Sequence, residues 1–169
     1  MTQAQGTEMR ELLKCLTKQR EHVLGILEGL DDDALRRPVL PSGWTCLGLV
    51  QHLALDVEQL WFRAVAAGEQ SVIDGLADSG NAWLVDPAVP AAEILELYRH
   101  ETTAATAIIA ASSPDAGVAW WPEDVFGSFR MHTMRELVLH VIAETACHAG
   151  HLDAARELID GRKWLVLTE

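Results

Sequence analysis

A chain of 169 residues, 49% hydrophobic and 22% charged, is long enough for one domain, residues 1–169, with a sizeable core. Its 25 acidic and 13 basic residues leave a formal charge of -12, which repels phosphate backbones and anionic headgroups and argues against nucleic acid or a membrane surface as partner. No run of about 18 apolar residues offers a spanning helix, Met1 to Arg10 holds no apolar signal core, and Cys15, Cys46 and Cys147 are odd in number and widely spaced, as free thiols are in a reducing compartment. The expected location is the cytoplasm.

Ala, Leu, Glu and Arg recur throughout while β-branched runs stay short, a composition that favours helices. The first helix is expected from Thr7 to Leu30, on a stripe that includes Leu12, Leu16, Val23 and Leu27. Asp32 or Asp33 then caps a short extra turn through Arg37. Pro38 and Pro41-Ser42-Gly43 break the chain. The second helix opens with Thr45 as N-cap and runs to Ala67. Its buried face includes Leu47, Val50, Ala54, Val57 and Trp61, and Gly68 is its stop. A long connection from Glu69 to Pro90 follows. The third helix is expected over Ala91 to Ala111, with Pro90 just ahead of its first turn. A loop from Ser112 to Met131 leads to the fourth, Thr133 to Ile159, which Gly161 ends. This order reads as all-α, a four-helix bundle with a long crossover between helices 2 and 3.

The fourth helix carries His140, Glu144, Cys147, His148 and His151. At about 100° per residue, all five fall on one stripe within about 60° of Glu144. Three imidazoles, a carboxylate and a thiol make a costly core-facing surface and a natural metal site. A bundle builds such a site from facing helices, and the second helix offers His52 in a mostly apolar stretch. One helical turn rises about 5.4 Å, so ligands four residues apart suit one ion. His140 with Glu144, Glu144 with His148, and His148 with His151 all pass; the middle pair shares a member with each of the others and is the first choice on spacing. His52, Glu144 and His148 would give a His₂Glu set with an open fourth position for water or substrate. Zn²⁺ suits these donors, and so do Ni²⁺ and Fe²⁺. Asp56, His140 and His151 would flank the ion or exchange with a ligand.

Other polar residues carry plainer readings. His22, His100 and His132 read as surface or satisfied histidines. Cys147 reads as a buried packing cysteine, as do Cys15 and Cys46, with a protein-borne thiol as the alternative for Cys147. Trp44 and Trp61 read as core residues, and the Trp120-Trp121 loop either walls a pocket or packs across a bundle end. Arg63, Arg130, Arg135 and Arg156 read as surface groups, with binding of a substrate carboxylate as the alternative.

Two blocks resemble the DinB/YfiT-like superfamily of small metal-binding four-helix bundles. Gly43-Trp44-Thr45-Cys46-Leu47-Gly48-Leu49-Val50-Gln51-His52-Leu53 is similar to that family's Trp-Ser/Thr and His-Leu segment at the start of the second helix. Leu139 to Asp153 resembles its His-x-x-x-His-x-Gly-Gln pattern, with Glu144 at the first histidine and His151 at the glutamine. Glu at that place also resembles the zinc-binding domain of mycothiol-dependent maleylpyruvate isomerase, and Arg156 to Gly161 looks like an actinobacterial-type branch.

The resemblance implies metal ligation by His52, Glu144 and His148 and a thiol-dependent S-transferase or isomerase acting on an electrophilic small molecule. Mycothiol, bacillithiol or glutathione would be the co-substrate. A divalent metal would deprotonate the thiol, whose free pKa is about 8.5, with His151 or His140 accepting the proton. A hydrolase using metal-bound water, a non-catalytic metal- or ligand-binding stress protein and a metal-free interaction bundle are the alternatives, and such a bundle is compatible with a homodimer.

Overall fold

Two threonine caps open the helices that carry the histidines. Thr45, in extended backbone, accepts a hydrogen bond from the Gly48 amide at 3.0 Å. Thr133 accepts one from the Glu136 amide at 3.3 Å, and the Glu136 carboxylate accepts the Thr133 amide in return. That reciprocal pair is a capping box, which satisfies two otherwise orphaned donors.

The computed structural model describes residues 3–164, with side chains from residue 5 onward; the expected domain limits at 1 and 169 lie outside the described residues. These residues are all-α, in the order α1 (Gln3–Leu27), α2 (Asp32–Arg36), α3 (Cys46–His52), a π-helix (Leu53–Ala66) continuous with α3, α4 (Gln70–Gly75), a 3₁₀ turn (Leu76–Asp78), α5 (Ala91–Ala111) and α6 (Met134–Asp160). Among the described residues the sole β-type pairing is an isolated bridge between Gly117 and Thr133, and no helix is long and apolar enough to cross a membrane. α1 packs chiefly on α6, and α5 on the π-helix. Between them lie fully buried side chains, among them Leu16, Ile26, Leu53, Phe62, Tyr98 and Leu152. Each apolar one contributes about 1.5–3 kcal/mol by leaving water.

The third and fourth helices match their expected spans closely, and the left-handed Gly161 (φ 79) stops α6. The first helix ends at Leu27 rather than Leu30, because the chain turns through Gly29 at φ 82. Asp31, not Asp32 or Asp33, caps α2, accepting from the Ala34 amide at 2.8 Å. Asp32 is engaged elsewhere: it holds Arg36 at 2.5 Å and accepts the Ala91 amide at 2.9 Å, which ties α2 to the start of α5.

The second helix departs most from expectation. It has the expected ends but changes type after His52. At about 100° per residue, the nine steps from His52 to Trp61 total roughly 900°, which would put the two on opposite faces of an α-helix. With i→i+5 hydrogen bonds the turn is wider, and nine residues make about two turns. His52 and Trp61 thereby reach the same side. The bond from the Ala67 amide to the Phe62 carbonyl, 3.0 Å, shows the wide register at the helix end. A buried ion pair holds this helix to α1: Arg20 Nε and Nη2 donate to both Glu58 carboxylate oxygens at 2.7 and 2.6 Å, and Arg20 Nη1 reaches Thr106 at 3.0 Å.

The long crossover folds back over α3. Gln51 Nε2 donates to the Ala82 carbonyl at 2.9 Å, and the Trp83 carbonyl sits directly over Gly48, where a Cβ would collide with it. Gly48→Ala should therefore cost about 1–3 kcal/mol in urea unfolding, as overpacking does. Gly75, with open space around it and φ -75, is the control: Gly75→Ala should leave stability unchanged or raise it by about 0.4–1 kcal/mol.

Candidate metal centre

His52 is the last residue of α3, while Glu144 and His148 stand one turn apart on α6. Each offers one donor atom, and the three atoms lie within 4.8 Å of one another. His148 Nε2 lies 3.5 Å from a Glu144 carboxylate oxygen. Donors about 2.0–2.2 Å from a tetrahedral zinc stand roughly 3.3–3.6 Å apart. The α6 pair already has that spacing, and the His52 donor lies near enough for a small side-chain adjustment to complete the set.

The surroundings fix which ring nitrogens face the centre. His52 Nδ1 lies 2.8 Å from Asp56 Oδ2; an ionised carboxylate only accepts, so Nδ1 carries the proton and Nε2 keeps its lone pair. A carboxylate behind a ligating imidazole orients the ring and raises its basicity. His148 Nδ1 lies 3.4 Å from His151 Nδ1, so the ring nitrogen free of that contact is the one beside Glu144. Trp83 stacks on the His52 ring at 4.3 Å and meets the His148 ring edge-on at 5.7 Å. Burial holds the His148 imidazole below its ordinary pKa, aided by nearby His52 and opposed by Glu144. Neutral imidazole is the ligating form, so the two imidazoles and one carboxylate fit a divalent cation.

A cavity of ≈ 430 Å³ opens beside these donors. Leu60, Trp61, Phe126 and Phe129 wall it, and His52, Asp56, His140 and Glu144 supply its polar lining. Trp61 stacks with Phe126 at 5.2 Å and meets the His140 ring edge-on at 5.1 Å. Burial lowers the His140 pKa, against the pull of Glu144.

The other sequence expectations divide. His140 lines the cavity, whereas His151 is exposed behind His148, 6.1 Å from Trp44, and does not line it. Cys147 and Cys15 are exposed, contrary to the packing role expected of them. Val141, Thr145, Ala149 and Leu152 set the core side of α6, and Cys147 lies off that stripe. Cys46 is buried as expected, and burial pushes its thiol up to about 11. His22 pairs with Asp153 at 2.7 Å and stacks on Trp164, while His100 and His132 are exposed. Arg156 is buried, contrary to its surface reading, and donates to Asp160 and to the Ile26 and Glu28 carbonyls. Of the Trp120-Trp121 loop, Trp121 is buried and backs Phe126 at 5.8 Å. Phe126 and Phe129 form the wall itself. Trp83 carried no sequence signal, since its role depends on how the crossover folds back.

Two expectations follow. Asp56→Asn should weaken divalent-metal affinity about 10–100-fold in competition with a chelator, with the fold retained. Histidines whose folded pKa is lowered take up protons less readily than the unfolded chain, which protonates near pH 6.5. Below about that pH the unfolded state binds more protons, so the stability these groups allow is full above it and falls as pH drops toward the lowered folded values. Urea unfolding of metal-free protein across that window should show the fall, and His140→Gln should shrink it; an unchanged slope would mean that His140 titrates freely.

The family model for Mycothiol-S-transferase (MST) matches residues 11–161. No curated protein and no solved structure matches the chain. The matched span contains His52, Glu144, His148 and the cavity walls, and covers all but the ends of the sequence. The chain belongs to the mycothiol S-transferase family, within the DinB/YfiT-like group.

Proposed function

We propose that this protein is a metal-dependent enzyme that transfers a low-molecular-weight thiol, mycothiol by its family, to an electrophilic small molecule. The metal ligands are His52, Glu144 and His148. The observation that carries this reading is the convergence of those three donors at the edge of a cavity large enough for a small molecule. A divalent cation in that set, zinc first and nickel or iron on the same donors, would supply the charge that lowers a thiol pKa from about 8.5.

The chain's own groups do the rest. Asp56 holds the His52 ring in its ligating tautomer. His140, neutral and facing the cavity, accepts the thiol proton at an imidazole nitrogen; His151, beside His148, does not line the cavity. The sulfur electron pair forms the bond to the electrophilic carbon. In a substitution the leaving group departs with its bonding pair; in an addition His140 returns the proton to the product carbon. Trp61, Phe126 and Phe129 give the reacting atoms an apolar wall.

Protein purified without chelator should carry stoichiometric divalent metal, and His148→Ala should lose it together with thiol conjugation. His140→Gln should keep the metal but lower kcat by about a hundredfold or more. Assays with mycothiol, bacillithiol and glutathione, set beside an ester hydrolysis assay, check the reaction class. Hydrolysis without thiol consumption would overturn the transferase reading, and metal-free wild type would overturn the site.

A further inference from the structure

We infer that the cavity beside the donors selects an uncharged, planar aromatic electrophile over an anionic one. This rests on the thiol-transfer reading above and names the substrate class of the same site. The walls are Leu60, Trp61, Phe126 and Phe129, and the charged groups that reach the cavity, Asp56 and Glu144, are both acidic. Among the described residues, no Lys or Arg lines it. Aromatic faces carry the negative end of the ring quadrupole, so these walls attract ring edges and repel anions.

The arginines that could have supplied a cation are committed elsewhere. Arg63 donates to Glu69 at 2.6 Å and to Glu101 at 2.9 Å. Arg135 is held by Glu8 and Asp115, each at 2.5 Å. Arg156 is buried on Asp160 and two backbone carbonyls. Arg130 pairs with Glu123 at 2.6 Å and lies over Trp121, which stands behind the cavity wall. With a divalent cation on the donors offset by Glu144 and the bound thiolate, an entering carboxylate or sulfonate would meet Asp56 and no lysine or arginine, beneath an overall charge of -12.

An aromatic guest meets favourable surfaces instead. Trp61 and Phe126 are stacked with their planes 27° apart. Phe129 is 46% exposed, apolar surface left in water that a planar guest would cover. The volume of ≈ 430 Å³ sits toward the small end of ligand pockets, about 300–1,000 Å³, and suits a two-ring molecule better than a large one.

The test uses the protein as purified, without thiol, and compares methyl naphthyl sulfone with naphthalene sulfonate by calorimetry. The two match in shape and differ in charge, and any bound metal would favour the anion, which makes the comparison conservative. The sulfone should bind at least tenfold more tightly, shifting the Trp61 indole N–H resonance. Phe129→Lys, at a half-exposed position outside the core, should narrow or reverse that preference. Equal or tighter binding of the sulfonate, no binding of either, or an unaltered preference in Phe129→Lys would overturn the inference. Because no thiol is present, failure of thiol transfer leaves the sulfone preference standing. A sulfonate preference with transfer intact removes the substrate class alone.

Discussion

The site depends on the wide turn of the π-helix that follows His52. π-helical winding is rare, and where it interrupts an α-helix it is frequently at a functional site. Here the widened turn sets the His52 end of α3 and the Trp61 wall on one side of the same rod. Packing holds that geometry. Leu53, Ala54, Val57 and Phe62 are buried along it, and the Arg20–Glu58 pair fixes its rotation against α1. A buried charge deprived of its partner is strongly unfavourable, so a rotation that separated Glu58 from Arg20 would be resisted. Arg63 adds a second tie, to Glu101 on α5. The polar pairs on the core side thus set the direction in which the opposite side faces.

The same helix marks how far the sequence could be read. Thr45, Thr133, Pro90 and Gly161 announced helix ends through local chemistry, and the structure uses all four. Spacing on α6 brought out Glu144 and His148, and an apolar stretch on the facing helix, which also carries the family-like segment, brought out His52; the structure brings those three together. What stayed hidden was nonlocal. A period of 100° per residue assumes an α-helix, and nothing in Leu53 to Ala66 signals another winding. Trp83 belongs to a loop whose path is set by Gly48 and Gln51. The exposure of Cys147 follows from which side of α6 meets α1, and the stripe of polar residues alone does not reveal that side. Asp31 won the cap over its two neighbours because Asp32 bonds to Arg36 and Ala91, the latter a residue 59 positions away.

Electrostatics divides the molecule into two kinds of surface. The arginines are spent on pinning helices and loops: Arg20, Arg63, Arg135 and Arg156 each bridge elements distant in sequence. Four histidines gather near the donor set: Asp56 orients the His52 ring, and burial holds both His140 and His148 below the ordinary imidazole pKa. A fold that fixes its scaffold with permanently charged guanidinium groups leaves its imidazoles free for proton transfer and coordination near neutral pH.

The pairing of α1 with α6 bears on how the chain comes to be folded. α6 is the main partner of α1, and more than a hundred residues separate Leu27 from Met134. At about 5–20 residues per second, α1 waits on the order of ten seconds during synthesis before α6 emerges to cover it. Until then Leu16, Val23 and Ile26, fully buried in the finished protein, lack one side of their enclosure. The contact also closes a long loop, which slows folding relative to a bundle of sequential hairpins. His52 leaves the ribosome well before Glu144 and His148, so the donor set is assembled in the same late event that completes the core.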